Sequence, residues 1–460
     1  MKPITDAAVT ALFAHAADFT RRSLQAGGGT LHAYFIDGLT DGDQIAAWVF
    51  RPLMQAGPVA DLAAWAVSGG VWNANAEPVD TLEQLGQALV NGCCVVLFAP
   101  GRAVAFEVKG GEKRGVGQPQ VEAAVKGPKD AFTETLRTNT ALVRRHLRTT
   151  ALAFRQLIPA SRGGETAAVV WLEGRTDPAR VAAVQERLEA VQEQALLSPG
   201  ALEQALTGGV RTAFPLLLYT ERADKFAAGL LEGRVGVLLD GLPLGYLLPC
   251  TLSRQLVSSE DRDGGQVLAA FLRALRYVAL LLGLGLPGLY LAMAGFHPEM
   301  IPTPLLTAMI ESHENVPWPP ALEVLGLLAA FELLQEAGLH LPQSIGQSVS
   351  IIGGLVVGTA AVDARLVSPA ALIVVAAAGI CAFALPSKDL TDAVRLWRLI
   401  LGLCAAAAGL YGLTLGALAL LQHLAGLEAL GVGYLEPFAA GAGLGRVLPL
   451  KGEDVCGRSR

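Results

Sequence analysis

Three glutamates stand in a stretch of the chain that is otherwise apolar. Glu323, Glu332 and Glu336 lie between Pro320 and Leu339. A carboxylate at the centre of a bilayer costs about 2.5–3.5 kcal/mol or more, so three of them on one short helix are not expected to face lipid. Glu332 and Glu336 are four residues apart and share a helical face. Two interpretations stay open: the helix lies in the membrane interface, or its acidic face lines water.

A second pattern follows a few residues later and is made of small side chains. Its four members recur at every fourth position: Gly346, Ser350, Gly354 and Gly358. Such a stripe lets two helices approach closely, and a helix–helix contact is the simpler interpretation. The alternative places this helix around a symmetry axis. There Val356 and Val357 would form a hydrophobic constriction that gates by dewetting.

The motifs of the common catalytic and metal sites are missing from the sequence. It contains no GxxxxGK[ST] loop, no GxSxG elbow and no HExxH helix. The seven histidines are scattered, and the six cysteines form no CxxC pair. We therefore predict no catalytic residue, no cofactor and no metal, and we expect a protein that is not an enzyme. The formal net charge of −6 gives the whole chain no attraction for nucleic acid.

The positions of the charged residues divide the chain into two parts. Hydrophobic residues make up 52% of the chain and charged residues 17%, whereas a soluble domain usually carries about 25% charged residues. Of the 35 basic and 41 acidic residues, only 13 lie between Tyr277 and Leu427. This contrast indicates a soluble module followed by membrane-spanning sequence.

The apolar part holds five candidate spans, each near the roughly 20 residues that cross a bilayer core. They are Tyr277–Phe296, Pro320–Leu339, Ile345–Val362, Leu366–Ser387 and Leu399–Leu427. Basic residues precede the first span and follow the last, which favours both ends inside and an even number of crossings. The glutamate-bearing stretch is then the natural one not to cross. Lys388, Arg395 and Arg398 would fall outside in that arrangement, so the topology stays open.

Strands alternate with helices in the polar part, and this predicts an α/β fold. We assign residues 1–266 to a cytoplasmic α/β region of two small lobes, about 30–155 and 156–266. An α-helical polytopic membrane domain follows at 267–440, and 441–460 form a C-terminal tail. The N-terminus lacks the long apolar core of a signal peptide, so the N-terminal domain is expected in the cytoplasm.

Three local signals in the polar part predict specific elements. Lys129–Arg155 has a rough apolar stripe of helical period and is predicted as one long helix. Asp177 and Pro178 are predicted as the N-cap and first residue of a helix. Asp240 and Gly241 are predicted as a tight hairpin turn between two strands.

Basic residues cluster in and after the long predicted helix. They are Arg137, Arg144, Arg145, Arg148, Arg155 and Arg162. One interpretation is contact with anionic headgroups or a partner. The favoured interpretation is a solvated helix face balanced by nearby acids.

Six long stretches carry a resemblance to a known family. In the polar part they are VKGPKDAFTETLRTNTALVRRHLR (Val125–Arg148), WLEGRTDPARV (Trp171–Val181) and TERADKFAAGLLEGRVGVLLDGLPLGYLLP (Thr220–Pro249). In the apolar part they are FHPEMIPTPLL (Phe296–Leu306), FELLQEAGLHLPQSIGQSVSIIGGLVVGTAAVDARLVSP (Phe331–Pro369) and GVGYLEPFA (Gly431–Ala439). In sequence and order they resemble the A-subunit family of bacterial spore germination receptors, the GerA type.

This resemblance implies a two-lobed cytoplasmic domain, a multi-pass membrane domain and residence in the inner membrane of a dormant spore. It implies work beside a transporter-like B subunit and a lipoprotein C subunit, in contact with membrane lipid. It also implies that a nutrient triggers ion release, and that the A subunit forms a homo-oligomer around an ion path.

Three other functions stay open beside the receptor subunit. One is an accessory germination protein of the same family without its own nutrient specificity. Another is a secondary transporter subunit, since intramembrane acids are typical of proton-coupled carriers; no inverted repeat is visible in 277–427. The third is a scaffold that only anchors partners.

Overall fold

Two five-stranded sheets form the first half of the chain, and a bundle of long helices forms most of the second. The computed structural model of the chain describes residues 4–57, 59–110, 117, 119, 122, 127–159, 163–191, 196, 198–258, 261, 265–314, 316–339 and 358–438.

The first sheet has the strand order β1-β2-β4-β5-β3, and each neighbouring pair is antiparallel. The strands are β1 (Phe19–Ala26), β2 (Gly29–Ile36), β3 (Ala76–Val79), β4 (Cys93–Ala99) and β5 (Arg102–Glu107). Successive side chains of a strand point to opposite faces, so both faces of β4 are buried. Cys94 and Val96 enter one core cluster, and Val95 and Leu97 enter another.

Helices cover each face of this first sheet. On one face lie α1 (Asp6–Leu12) and α2 (Leu82–Val90). The other face is covered by helical runs over Gly42–Gln44, Ile45–Phe50 and Arg51–Gln55, and over Leu62–Trp65 and Ala66–Gly70.

The second sheet repeats this layout with the order β6-β7-β9-β10-β8, again antiparallel throughout. Its strands are β6 (Leu152–Leu157), β7 (Ala167–Leu172), β8 (Leu218–Thr220), β9 (Val235–Leu239) and β10 (Gly245–Leu248). One face packs on α3 (Leu136–His146) and α6 (Ala223–Leu231). The other packs on α4 (Pro178–Glu189) and α5 (Pro199–Thr207), and the short α7 (Leu252–Gln255) follows β10.

The predicted division into lobes differs from these sheets at its edges. The first sheet begins with β1, before the predicted start near residue 30. The predicted boundary at 155/156 falls inside β6, which belongs to the second sheet. Ala17 N–H donates to Phe154 O over 2.9 Å, so the N-terminal segment pairs with the edge of the second sheet. The boundary differs because the apolar stripe predicts helix through Arg155, whereas Leu152–Leu157 form strand β6.

The local predictions have mixed outcomes. Asp177 is confirmed as an N-cap, since its side chain accepts from Ala179 N–H over 2.9 Å. The single helix over Lys129–Arg155 is wrong: α3 ends at His146, and β6 follows. The stripe failed as a signal because its last members, such as Phe154, alternate in a strand instead.

The hairpin prediction at Asp240-Gly241 is right about the strands and wrong about the length of the turn. β9 and β10 pair in antiparallel fashion, with Gly245 opposite Leu238, so a longer loop joins them. Gly241 has φ +87, a conformation that glycine adopts without strain. The loop is tied to the start of α3, because Asp240 Oδ1 accepts from Leu136 N–H over 2.8 Å.

The helical part begins with α8 (Gln266–Phe296), followed by a 3₁₀ turn over Pro298–Met300 and by α9 (Thr303–His313). Next come α10 (Pro320–Leu339), a helical stretch over residues 358–363, α11 (Pro369–Phe383) and α12 (Lys388–Gly426). The last described residues form a small hairpin of β11 (Glu428–Ala429) and β12 (Val432–Gly433).

Helix α12 is a helical hairpin with two antiparallel arms. Its backbone breaks at Ala408 (φ −143, ψ 22) and Gly409 (φ 61, ψ −140). The rings of Trp397 and His423 lie 5.8 Å apart, although 26 residues of straight helix would separate them by about 39 Å. The sequence predicted one span over Leu399–Leu427. That prediction is wrong at this break, because a uniformly apolar run does not reveal where a glycine reverses the chain.

Contacts between helices give their directions. Glu323 and Phe331 of α10 meet Ser368 and Gly379 of α11 in the same order, so α10 and α11 run parallel. The tip of the α12 hairpin lies at the end of α8, since Gly409 approaches Phe296. Among the described residues, Gln266–Phe296 and Lys388–Gly426 are long and apolar enough to cross a membrane by length and composition. Pro369–Phe383 is a shorter apolar helix.

Candidate functional site

Glu332 lies at the centre of a charged cluster inside the helical bundle. Arg398 Nη2 donates to Glu332 Oε1 over 2.6 Å, and Arg395 Nε donates to Glu332 Oε2 over 2.5 Å. Arg395 also donates to Asp392 over 2.9 Å. The cluster joins α10 to the first arm of α12. Burying charges is tolerated only when they are paired, and here two guanidinium groups pair with one carboxylate.

Arg398 makes fewer hydrogen bonds with the described residues than a fully buried guanidinium group usually makes. Its side chain is 1% exposed, and its Nε and Nη1 atoms have no hydrogen-bond partner in the described part of the chain. Buried N–H groups without acceptors are rare in folded proteins. In the part of the chain that the structure describes, two N–H donors of Arg398 therefore stay without an acceptor beside Glu332.

Glu323 occupies a second polar position, nearer the start of α10. Its side chain is 0% exposed, and Oε2 lies 3.4 Å from His313 Nε2. The Ser368 N–H donates to Oε1, which places the carboxylate at the N-terminus of α11, where the helix dipole favours negative charge. His313 Nε2 is in turn 3.4 Å from Tyr290 Oη. Four segments of the bundle thus meet at one buried carboxylate.

The remaining predicted site residues divide between described and undescribed parts of the chain. Glu336 lies one turn beyond Glu332 and is exposed. Gly358 is buried, and a Cβ there would lie 3.3 Å from Leu372 of α11, so this member of the small-residue stripe lies at a close helix contact. The others fall outside the described residues: Gly346, Ser350, Gly354, Val356 and Val357.

The second sheet and the helices packed on it, residues 136–258, are called here the second sheet module. This module contacts both arms of the α12 hairpin. The Phe214 ring lies 6.4 Å from that of Trp397 on the first arm and 6.3 Å from that of His423 on the second. Thr212 Oγ1 lies 3.0 Å from His423 Nε2. A shared apolar cluster extends this contact to Leu385 and Leu420. The sheet module and the bundle therefore form a continuous structure at this junction.

Acidic groups lie at the same junction. Burial, together with the nearby charge of Asp389 in the first turn of α12, raises the pKa of Glu203 to about 7. Burial, followed by the charge of Asp389, also raises the pKa of Tyr219. Protonation of Glu203 near neutral pH thus changes the charge where the module meets the bundle.

Comparison with known proteins shows the family of the chain. A family model described as Bacillus/Clostridium GerA spore germination protein matches residues 7–444. The chain belongs to the GerA family. This confirms the resemblance found in the sequence.

Relatives of this GerA chain are similar over most of their length. Spore germination protein KA of Bacillus subtilis (strain 168) is 34% identical over 418 residues, which are 89% of this chain and 76% of that protein. Spore germination protein B1 of the same organism is 33% identical over 89% of this chain and 85% of that protein. Uncharacterized membrane protein YfkQ, also from that organism, is 32% identical over 87% of this chain and 79% of that protein.

One solved structure is similar to part of the GerA chain. The crystal structure of the N-terminal domain of the A subunit of the Bacillus megaterium spore germinant receptor GerK3 is 22% identical, with a TM-score of 0.41. The match covers 52% of this chain and 91% of that chain.

The basic cluster of the GerA chain fits the favoured interpretation only in part, because Arg137 and Arg155 are exposed residues that pair with acids. Arg137 donates to Asp37 over 2.6 Å, and Arg155 lies 3.7 Å from Glu189. Arg145 and Arg148 are exposed, and Arg162 lies outside the described residues. Arg144 was misassigned, because its side chain is fully buried against Asp18.

Sequence reasoning also missed the partners of the buried glutamates. Arg395 and Arg398 were counted as charges that flank a span, yet Arg398 lies inside the bundle. Its pairing with Glu332 crosses 66 positions, which no local pattern reveals. The sequence does contain acids in one apolar helix and arginines in another, and this pattern could have indicated that the two helices pair. In the described part of the chain, no group of three or more His, Cys, Asp or Glu side chains could hold a metal ion.

Proposed function

We propose that this chain is the A subunit of a spore germinant receptor, acting in nutrient-triggered signalling and in ion release across the spore inner membrane. In this proposal it is a multi-pass protein with its two sheet modules in the cytoplasm. It is an oligomeric, ion-conducting component that works with a transporter-like B subunit and a lipoprotein C subunit, and it carries no catalytic site.

Membership of the GerA family over residues 7–444 is the observation that carries the germination role. The conducting role is supported by the charged cluster of Glu332, Arg395 and Arg398 in the bundle. Ionisable residues inside apolar helices are rare and mark ion or substrate pathways in membrane proteins. The exposed Glu336, one turn away on the same helix, extends this charged face.

The direct test is cation flux through the purified full-length protein in liposomes. We predict that the double variant Glu332→Gln/Glu336→Gln inserts normally and lowers cation flux by about tenfold, the scale on which charge focusing in a lined path acts. Glu332→Gln leaves Arg398 without its carboxylate, whereas Arg395 keeps Asp392. Glu336→Gln removes an exposed acid. Glu314→Gln, at an exposed acid after α9, is the matched control and should conduct like wild type.

Two results would contradict parts of this proposal. Equal flux in wild type and the double variant would remove the acids from the ion path. If the wild-type protein gives no cation flux, either alone or with its B and C subunits, the conducting role is rejected. Only the signalling role then remains. Spores that lack the chain test the receptor role separately: loss of the response to one nutrient supports a receptor subunit, whereas an unchanged response to every nutrient rejects it.

A further inference from the structure

Helix α8 carries an apolar seam that faces away from the rest of the chain. Its residues alternate in steps of three and four, the a/d spacing of a heptad repeat. They are Leu268 (55% exposed), Phe271 (62%), Leu275 (50%), Val278 (51%), Leu282 (42%) and Leu289 (41%). Gly285 fills the missing position, and a Cβ there would meet no atom within 4 Å.

The opposite face of α8 holds both its packing contacts and its charges. Leu280, Gly283 and Leu291 are buried there against the other helices of the bundle. Arg276 Nη1 lies 2.6 Å from Asp261, and Arg273 Nη2 lies 3.9 Å from the same carboxylate. Asp261 is 2% exposed, so these charges are neutralised away from the seam.

Lipid alone does not account for the seam. The 31 residues of α8 span about 46 Å at 1.5 Å per residue, whereas the hydrocarbon core of a bilayer is about 30 Å thick. The uncharged run of the helix starts at Tyr277, after the two arginines. Leu268, Phe271 and Leu275 precede it, and their exposed side chains would stand in water.

We propose that α8 packs along this seam against α8 of a second copy of the same chain. The proposal rests on the oligomeric assembly proposed above and names the surface that joins its subunits. A seven-residue apolar repeat keeps two helices in contact when they cross at about 20°. Among the described residues, two identical seams meet without like charges, because Arg273 and Arg276 lie on the opposite face of α8, where they pair with Asp261. Copies inserted in the same direction place their seams parallel and in register.

The first experiment measures the mass of the full-length protein in detergent by light scattering. Phe271→Glu/Leu275→Glu places charges at the two exposed positions before the membrane run. We expect wild type to contain several chains and the double variant to contain one, with an unchanged circular dichroism melting curve. Ile158→Glu, at a side chain that is 73% exposed on the second sheet module, is the matched control and should assemble like wild type.

The second experiment covers the case in which the double variant does not fold. Leu275→Cys is a small change at the seam and should give a disulfide-linked dimer in proteoliposomes under mild oxidation. Ile158→Cys should give none beyond the wild-type background. Since the two copies must lie side by side for this bond to form, the dimer band reports the seam directly.

The outcomes separate this inference from the proposed function. A double variant that keeps the wild-type mass, together with no dimer from Leu275→Cys, overturns the seam even if the protein conducts. If the double variant keeps the wild-type mass and only incorporates less well into lipid vesicles, this face of α8 contacts lipid. That result also overturns the proposed seam. A monomeric Phe271→Glu/Leu275→Glu variant beside a wild type without cation flux supports the seam and rejects the conducting role.

Discussion

Arg144 and Arg398 are the two largest fully buried side chains in the described chain, and they are held in different ways. Arg144 joins Asp18 through two hydrogen bonds of 2.6 and 2.7 Å and also lies over the Phe154 ring at 4.9 Å. Arg398 makes one bond to Glu332, and its Nε and Nη1 atoms have no partner among the described residues. A fully satisfied charge specifies a structure. An ionisable side chain inside an apolar helical bundle is rare and usually marks a functional site.

The largest expected effect tests that difference directly. Arg144→Met should lower the free energy of unfolding by about 3–5 kcal/mol, because it leaves the buried Asp18 carboxylate without its cation. Arg398→Met should stay within about 1 kcal/mol of wild type, because Glu332 keeps Arg395. Denaturant unfolding of both full-length variants in detergent measures the two values. Equal losses would mean that the two arginines have the same structural role.

A smaller effect is expected at the helix that carries Arg144. The N-cap residue of α3, Thr135, makes no side-chain capping bond, and Asp240 supplies the acceptor for Leu136 N–H from 104 positions away. Asp240→Ala should cost about 0.5–2 kcal/mol of unfolding free energy, the usual value of a lost cap. Asp240→Asn keeps an oxygen at the site and should cost less. If the alanine and asparagine variants unfold alike, the bond does not stabilise α3.

The smallest expected effect concerns a third kind of buried charge, at the junction of module and bundle. The pKa of Glu203 is about 7 in the folded chain, above its usual value near 4.5, so the folded chain holds this proton more tightly. The stabilisation is complete below about pH 4.5 and is lost as the pH rises through 7. Glu203→Gln should therefore flatten the fall in melting temperature between these pH values.

The matched control for this experiment is Glu186→Gln, at an exposed position of α4. It should melt like wild type at every pH. A Glu203→Gln variant that follows the wild-type pH profile would show that burial at the junction does not raise the pKa of Glu203.

The sequence predicted the elements whose signals are local. Asp177 before Pro178 marks the start of α4, because the cap and the first helical residue are adjacent in sequence. The ends of α3 and the reversal at Gly409 were missed, because both depend on distant contacts. The predicted division into a polar and an apolar part follows from composition, which averages over many residues and is therefore robust.

The candidate site was predicted less completely than the fold. The sequence identified Glu323 and Glu332 as unusual, because a carboxylate in an apolar helix costs free energy wherever it points. It did not identify their partners. Asp18 and Arg144 are 126 positions apart, and Glu332 and Arg398 are 66 apart. Pairing over such distances is a property of the folded chain and leaves no trace in spacing or period.

The last residues of the bundle have a consequence for how the chain is made. Leu430 is part of the core of the second sheet module, and Leu252 N–H donates to Tyr434 O over 2.9 Å. The ribosome makes this module long before it makes those residues. Its core therefore stays incomplete until the α12 hairpin has been synthesised and has returned to the module. The second module therefore completes its core only after the helical bundle has been synthesised.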